Sequence, residues 1–282
     1  MKTKKKKSKN GRVIPGFGLS LGITLTILSF VVLIPLATLV VFTSGMSLPD
    51  VIATITKPRV LASFEVSFLT AFIASVINTF MGIILAWVLV RYDFPFKRLM
   101  DGMIELPFAL PTAVAGISLT ALTSNNGLVG SFFARFGIKL AYTRVGITIA
   151  LIFIGIPFVV RAVQPVLEKL DLSYEEAAGV MGADRFTIFR RVIFPEIWPA
   201  AITGFGLAVG RCIGEYGSVV FIAGNQPFET EIAPLIIMSE LQQYDYASAT
   251  AIALVMLIFS FLILFLVSFF QARNTVMIQG RR

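Results

Sequence analysis

Long apolar runs alternate with short polar segments along the 282-residue chain. Six runs, at approximately 17–42, 63–90, 103–123, 145–164, 197–224 and 248–271, reach the roughly 20 residues that a helix needs to cross a hydrocarbon core. This pattern predicts an all-α fold, a polytopic membrane bundle of six transmembrane helices. It forms one domain over 17–272, with a basic tail at 1–16 and a short C-terminal tail at 273–282. The first run is too long for the apolar region of a cleaved leader, and no convincing small-residue cleavage site follows it. No internal repeat is apparent.

One segment departs from the pattern. Asp171 to Pro195, DLSYEEAAGVMGADRFTIFRRVIFP, is a charge-dense island of 25 residues. Ser173 and Glu176 are spaced as a capping box, Gly182 interrupts the helix they start, and Asp184 is placed to cap a second one. The island therefore predicts two short helices hinged at Gly182. On the second, Phe186, Phe189 and Ile193 share a face, and Arg185, Arg190 and Arg191 lie off it. Such a helix can fill a groove on a partner.

Two apolar runs carry unusual residues. In the third, Pro107 and Pro111 each remove a backbone donor, which predicts a kink or a partly unwound stretch that is tolerated where it lines a cavity or is covered by protein. In the fifth, Gly206, Gly210 and Gly214 recur every four residues and clear one face for close helix packing. Arg211 and Glu215 lie four apart on a neighbouring face. Each costs about 2.5–3.5 kcal/mol at the centre of a membrane helix, so they must pair, face protein or face water. They read either as part of the wall of an anion pathway, with Ser218 beside them, or as an ion pair that fixes packing.

Composition changes the picture by exclusion. Apolar residues make up 56% of the chain, charged residues 14%, and the mean hydropathy is +0.86, all outside the range of soluble domains. The absence of histidine removes histidine-based catalytic triads and zinc motifs, and no phosphate-binding loop occurs, so ATP would have to be used by another subunit. No catalytic residue, metal site or cofactor is expected in this chain. Cys212 lies inside an apolar run and reads as a packed thiol.

The net charge of +8 is concentrated at the N-terminus, where Lys2, Lys4, Lys5, Lys6, Lys7, Lys9 and Arg12 precede the first run. That arrangement fits an anchor on anionic lipid rather than a nucleic-acid footprint. Placing this tail in the cytoplasm puts eighteen Lys and Arg residues inside and five outside. Both termini and the island then face the cytoplasm.

The island is also where a family resemblance enters. Glu176-Ala177-Ala178, three residues, Gly182, nine residues, then Val192, Phe194 and Pro195 resembles the EAA loop of ATP-binding-cassette (ABC) importer permeases. Val192 and Phe194 replace two aliphatic positions of that pattern and stay apolar. RYDFPFKRLMD, ELPFALPTAVAG, PFVVRAVQPVLE, GRCIGEYGSVVFIAGN and QQYDYASATAIA are similar, in order, to blocks of the sulfate/thiosulfate ABC permeases, and ALPTAVAG to their T-type subunit.

The resemblance implies the molybdate/sulfate-type permease fold and a non-catalytic subunit that moves sulfate, or thiosulfate, by alternating access. It implies a cytoplasmic ABC ATPase dimer that uses ATP and Mg, a second W-type permease and an extracytoplasmic sulfate-binding protein. Glu176, Ala177, Ala178, Gly182 and Phe186 would be the ATPase-docking residues; Arg211, Glu215, Ser218, Pro107 and Pro111 would lie on the pathway or its gate. The membrane would be a bacterial inner membrane, with the chloroplast envelope as an alternative. A molybdate or tungstate permease, and an ion-coupled secondary anion transporter with Glu215 as its proton site, remain open readings.

Overall fold

The computed structural model describes residues 17–279; the basic tail expected at 1–16 and residues 280–282 lie outside that range. Helices dominate, and no strand occurs among the described residues. They run in order as α1 (Phe17–Ser44), α2 (Leu48–Ile55), α3 (Pro58–Arg91), α4 (Lys97–Ile104), α5 (Leu106–Ala109), α6 (Thr112–Thr123) and α7 (Leu128–Ala134). Then follow α8 (Arg144–Lys169), α9 (Leu172–Val180), α10 (Arg185–Ile213), α11 (Val219–Ile222), α12 (Ala233–Gln242) and α13 (Tyr246–Gln279).

Five of these, α1, α3, α8, α10 and α13, are long and apolar enough to cross a membrane. The third expected crossing is not one helix. It is divided into α4, α5 and α6, and α6 has 12 residues, about 18 Å of rise. Leu110 and Pro111 adopt extended backbone at the break, because Pro111 has no N–H to continue the ladder. The fifth expected run, 197–224, is likewise shorter as helix: α10 ends at Ile213, and residues 214–218 run irregularly to α11. The last helix continues to Gln279, past the expected limit of 271.

Small residues explain the centre of the bundle. Along α3, Ser63, Ser67, Ala71, Ala74, Ser75, Asn78, Gly82 and Ala86 are buried at helical spacing, so α8 packs closely against that face. A Cβ on Gly82 would lie 2.7 Å from Val159 of α8, and one on Gly204 of α10 would lie 2.7 Å from the Val159 Cα. The glycine repeat in α10 serves α13: added Cβ atoms would meet Val267 at Gly206, at 2.6 Å, and Leu264 at Gly210, at 3.2 Å. Gly214 does not join this face; it ends the helix and has open space around it.

Two π turns, Ser29–Leu33 and Phe189–Ile193, share one cause. Each is followed, two residues on, by a proline, Pro35 or Pro195. A proline ring crowds the carbonyl four residues earlier, and the wider turn relieves that contact without ending the helix.

Candidate docking loop and translocation site

The island folds as a tip joining α8 to α10. Its first helix starts earlier than the Ser173 capping box predicts. Asp171 is the cap, accepting the Ser173 N–H at 2.9 Å, so Glu176 is free of a capping role. Glu175 instead reaches across to Arg91 at the end of α3, at 2.5 Å, and Arg91 also donates to the Leu170 carbonyl at 3.4 Å. This staple ties the tip to the bundle, and neither residue stands out in the sequence, because the contact spans 84 positions.

The end of α9 behaves as the sequence predicts. Gly182 has φ +85°; its N–H donates to Gly179 O at 2.9 Å, and Ala183 N–H to Ala178 O at 3.1 Å. This is a Schellman ending, which places glycine in the left-handed region. Asp184 caps α10 as expected, accepting from the Phe186 N–H at 3.2 Å and from the Thr187 hydroxyl. The backbone N–H of Ser173 holds the Asp171 carboxyl below its usual range, and the Thr187 hydroxyl does the same for Asp184. Both folded values are depressed, so the support of these caps is complete above the ordinary carboxylate range and fades as pH falls through the depressed values.

The expected second short helix is instead the first turn of α10, which passes through the π turn into the membrane span. The inserted residue rotates the face, so the stripe Phe186, Phe189, Ile193 is not continuous. Ile193 is buried, Phe189 packs edge-on against Trp87 at 5.4 Å, and Phe186 is 68% exposed. Exposed with Phe186 at the tip are Tyr174, Val180 (90%) and Met181 (80%). Glu176 and Ala177 are exposed, and Ala178 is buried. Large apolar side chains on a polar tip mark a contact surface. Of these apolar side chains, sequence reasoning found Phe186 alone; Val180 and Met181, just before Gly182, were the available signal.

The second constellation lies where the broken helices meet. A Cβ on Gly116 of α6 would collide with the Ser218 backbone, and one on Gly217 with the Thr112 side chain. The interruptions after α5 and after α10 are therefore in direct contact. Arg211 Nη1 donates to Glu215 Oε2 at 2.5 Å. The other carboxylate oxygen, Oε1, accepts from the Ser218 N–H at 3.0 Å and from its hydroxyl at 3.1 Å. Glu215 is only 3% exposed, whereas the Arg211 side chain is 36% exposed. The pair thus has a buried anion and an accessible cation.

Pro111 precedes Thr112 at this junction, but Pro107 lies elsewhere. It lines an apolar groove of about 400 Å³ with Phe94, Met103 and Phe153. Gly116, Thr112 and Gly217 belong to the junction and were not singled out by the sequence, since their role is a contact between distant segments. Asn78 is a further buried polar residue of the centre, donating weakly to the Leu151 carbonyl at 3.5 Å. At the far end of the bundle, Glu231 is buried and takes a two-pronged bond from Arg59, at 2.6 and 2.7 Å.

Comparison with known proteins agrees with this architecture. The chain is 49% identical over 262 residues to a sulfate transport system permease protein CysT of Salmonella typhimurium, covering 93% of this chain and 95% of that one. It is 46% identical to a probable sulfate transport system permease protein of Chlorokybus atmophyticus, over 91% of this chain and 90% of the relative. The fold matches, with a TM-score of 0.76 at 14% identity, a crystal structure of a bacterial ABC transporter involved in the import of the acidic polysaccharide alginate, covering 92% and 96% of the two chains. Residues 78–276 match the family model described as "binding-protein-dependent transport system inner membrane component", and the chain belongs to that family of membrane permeases.

Proposed function

We propose that this chain is the permease subunit of an ABC importer that carries sulfate across the membrane by alternating access, with thiosulfate as a second oxyanion. The observation that carries this reading is likeness to sulfate permeases over more than nine-tenths of this chain and of theirs. The subunit is non-catalytic. Two copies of a cytoplasmic ATPase bind ATP and Mg, a W-type permease completes the membrane unit, and an extracytoplasmic sulfate-binding protein delivers the anion. The excess of basic residues, eighteen against five, supports a bacterial inner-membrane orientation with the tip and both termini in the cytoplasm.

In this reading the exposed tip, with Glu176, Ala177, Gly182 and Phe186, docks on the ATPase, and Ala178 is the buried residue beneath that face. The junction lies on the anion path. Arg211 supports that role by its accessible guanidinium, and α6 begins at the same level with its unpaired N–H groups, the positive end of its dipole. Uptake of labelled sulfate into vesicles containing the full complex tests the proposal, with molybdate, thiosulfate and selenate as competitors. ATP-dependent uptake displaced by selenate and thiosulfate is expected. Preferred transport of molybdate would overturn the substrate, and uptake that survives ATP depletion but collapses with an ionophore would overturn the mechanism.

A further inference from the structure

Two roots join the tip to the bundle, and both leave regular α-helix. On the α8 side, Leu170 and Asp171 are extended, with ψ of 114° and 128°, so the covalent link to α9 is a bare joint. On the other side the tip enters α10 through the π turn Phe189–Ile193. A tip held by these joints alone could rock under load without moving the helices behind it. The inner end of α3 closes both. Arg91 Nη2 donates to Glu175 Oε1 at 2.5 Å and to the Leu170 carbonyl at 3.4 Å, so one guanidinium spans the joint from α8 to α9. Both members of the ion pair are largely withdrawn from solvent, at 13% and 20% exposure, where salt screens a charge-assisted bond little. Trp87 meets Phe189, the first residue of the π turn, edge-on at 5.4 Å between ring centroids. Trp87 and Arg91 stand four apart, so one face of α3 abuts both roots of the tip.

We infer that Trp87 and Arg91 are positioning residues for transport: they seat the tip on α3, so that a push on the tip is delivered to α3 as well as to α10. This rests on the reading that the tip docks on the ATPase. The choice of helix matters because of what α3 holds. Its buried small residues pack against α8, with Gly82 so close that a Cβ there would lie 2.7 Å from Val159. At its opposite end Arg59 grips the buried Glu231 of the 224–232 loop, 34 residues of helix spanning about 51 Å in all. A displacement taken up by α3 is therefore shared with α8 and with that distant loop. Without the seat, the tip turns about its two joints, and hydrolysis proceeds while the bundle stays behind.

The test uses the whole transporter complex in proteoliposomes. Labelled sulfate taken up and ATP hydrolysed are measured in one sample, and their ratio is read beside the amount of ATPase that co-purifies with the permease. Arg91→Gln, Glu175→Gln and Trp87→Leu are each expected to retain the ATPase and its hydrolysis while sulfate moved per ATP falls by roughly fivefold. Arg91→Gln combined with Glu175→Gln is expected to be no worse than either alone, the signature of one shared contact. An unchanged ratio in the variants of either root, or losses that add in the double variant, overturns the seat and leaves the docking reading standing. Loss of the ATPase from the Arg91 and Glu175 variants also overturns it, since the pair would then only shape the tip. Glu176→Lys separates the two readings: it is expected to release the ATPase, and a complex that keeps both ATPase and uptake with this change overturns the docking reading and the seat with it.

Discussion

At the scale of single residues, what surrounds a glycine decides its worth. Gly116 and Gly102 both sit in helices, α6 and α4, and look equivalent in the sequence. A Cβ at Gly116 would strike the Ser218 backbone, which cannot yield as a flexible side chain would; at Gly102 it would meet nothing within 4 Å. Gly116→Ala is therefore expected to destabilise the folded permease by about 1–3 kcal/mol. Gly102→Ala should stabilise it by about 0.5–1 kcal/mol through the lower entropy cost of fixing alanine in a helix. Thermal unfolding of the two variants in detergent checks the opposite signs. The same contrast shows how much of the site was legible. Gly182 and Asp184 act within a few positions of themselves, so their roles could be read from the sequence. Gly116, Gly217, Arg91 and Glu175 act on residues many positions away, which local spacing does not encode.

At the scale of elements, the tip proposed to dock and the α10 span are one continuous body. The sequence suggested a hinged pair of short helices, since Gly182 does end the first. It gave no sign that the second would pass into the span, because Pro195 normally argues against continuity, and the π turn at Phe189–Ile193 is what absorbs it. The Arg91–Glu175 pair then fixes the other side of the tip to α3. In the proposed role, the tip would push on the bundle only while its own shape is held. Gly182→Pro forbids the left-handed backbone at φ +85° and removes the N–H that bonds Gly179. Glu176→Lys inverts an exposed charge on the proposed docking face without touching any internal contact. Both variants are expected to remain in the membrane at normal abundance and to lose sulfate uptake by tenfold or more. Unchanged uptake in both, measured in vesicles beside an immunoblot of the membrane fraction, would remove the docking assignment.

At the scale of the whole molecule, α10 is a strut of 29 residues, about 43 Å, with the 171–184 tip at one end and Arg211 near the other. The small-residue faces that lock α3, α8 and α10 together make that centre a packed body. Interiors of this kind move as units rather than deforming continuously. The contact between the two helix breaks is different. It joins α6, which belongs to the interrupted crossing, to the 214–218 link at the end of the strut, with Gly116 against the Ser218 backbone and Gly217 against the Thr112 side chain. If force applied at the tip opens and closes a path, this junction is where relative motion must occur. A cross-link there tests it. A Cβ on Gly217 would stand 3.1 Å from the Thr112 Cβ, close enough that cysteines at both positions are within reach of a disulfide after a small adjustment. Thr112→Cys with Gly217→Cys, in a Cys212→Ser background, is expected to lose uptake under oxidising conditions and to recover it on reduction. ATP hydrolysis by the complex, measured in parallel, separates arrest from loss of assembly. Uptake that is indifferent to a fully formed cross-link would mean that the two breaks travel together, and the moving boundary would then have to lie on the other side of α6, between this chain and the second permease proposed above.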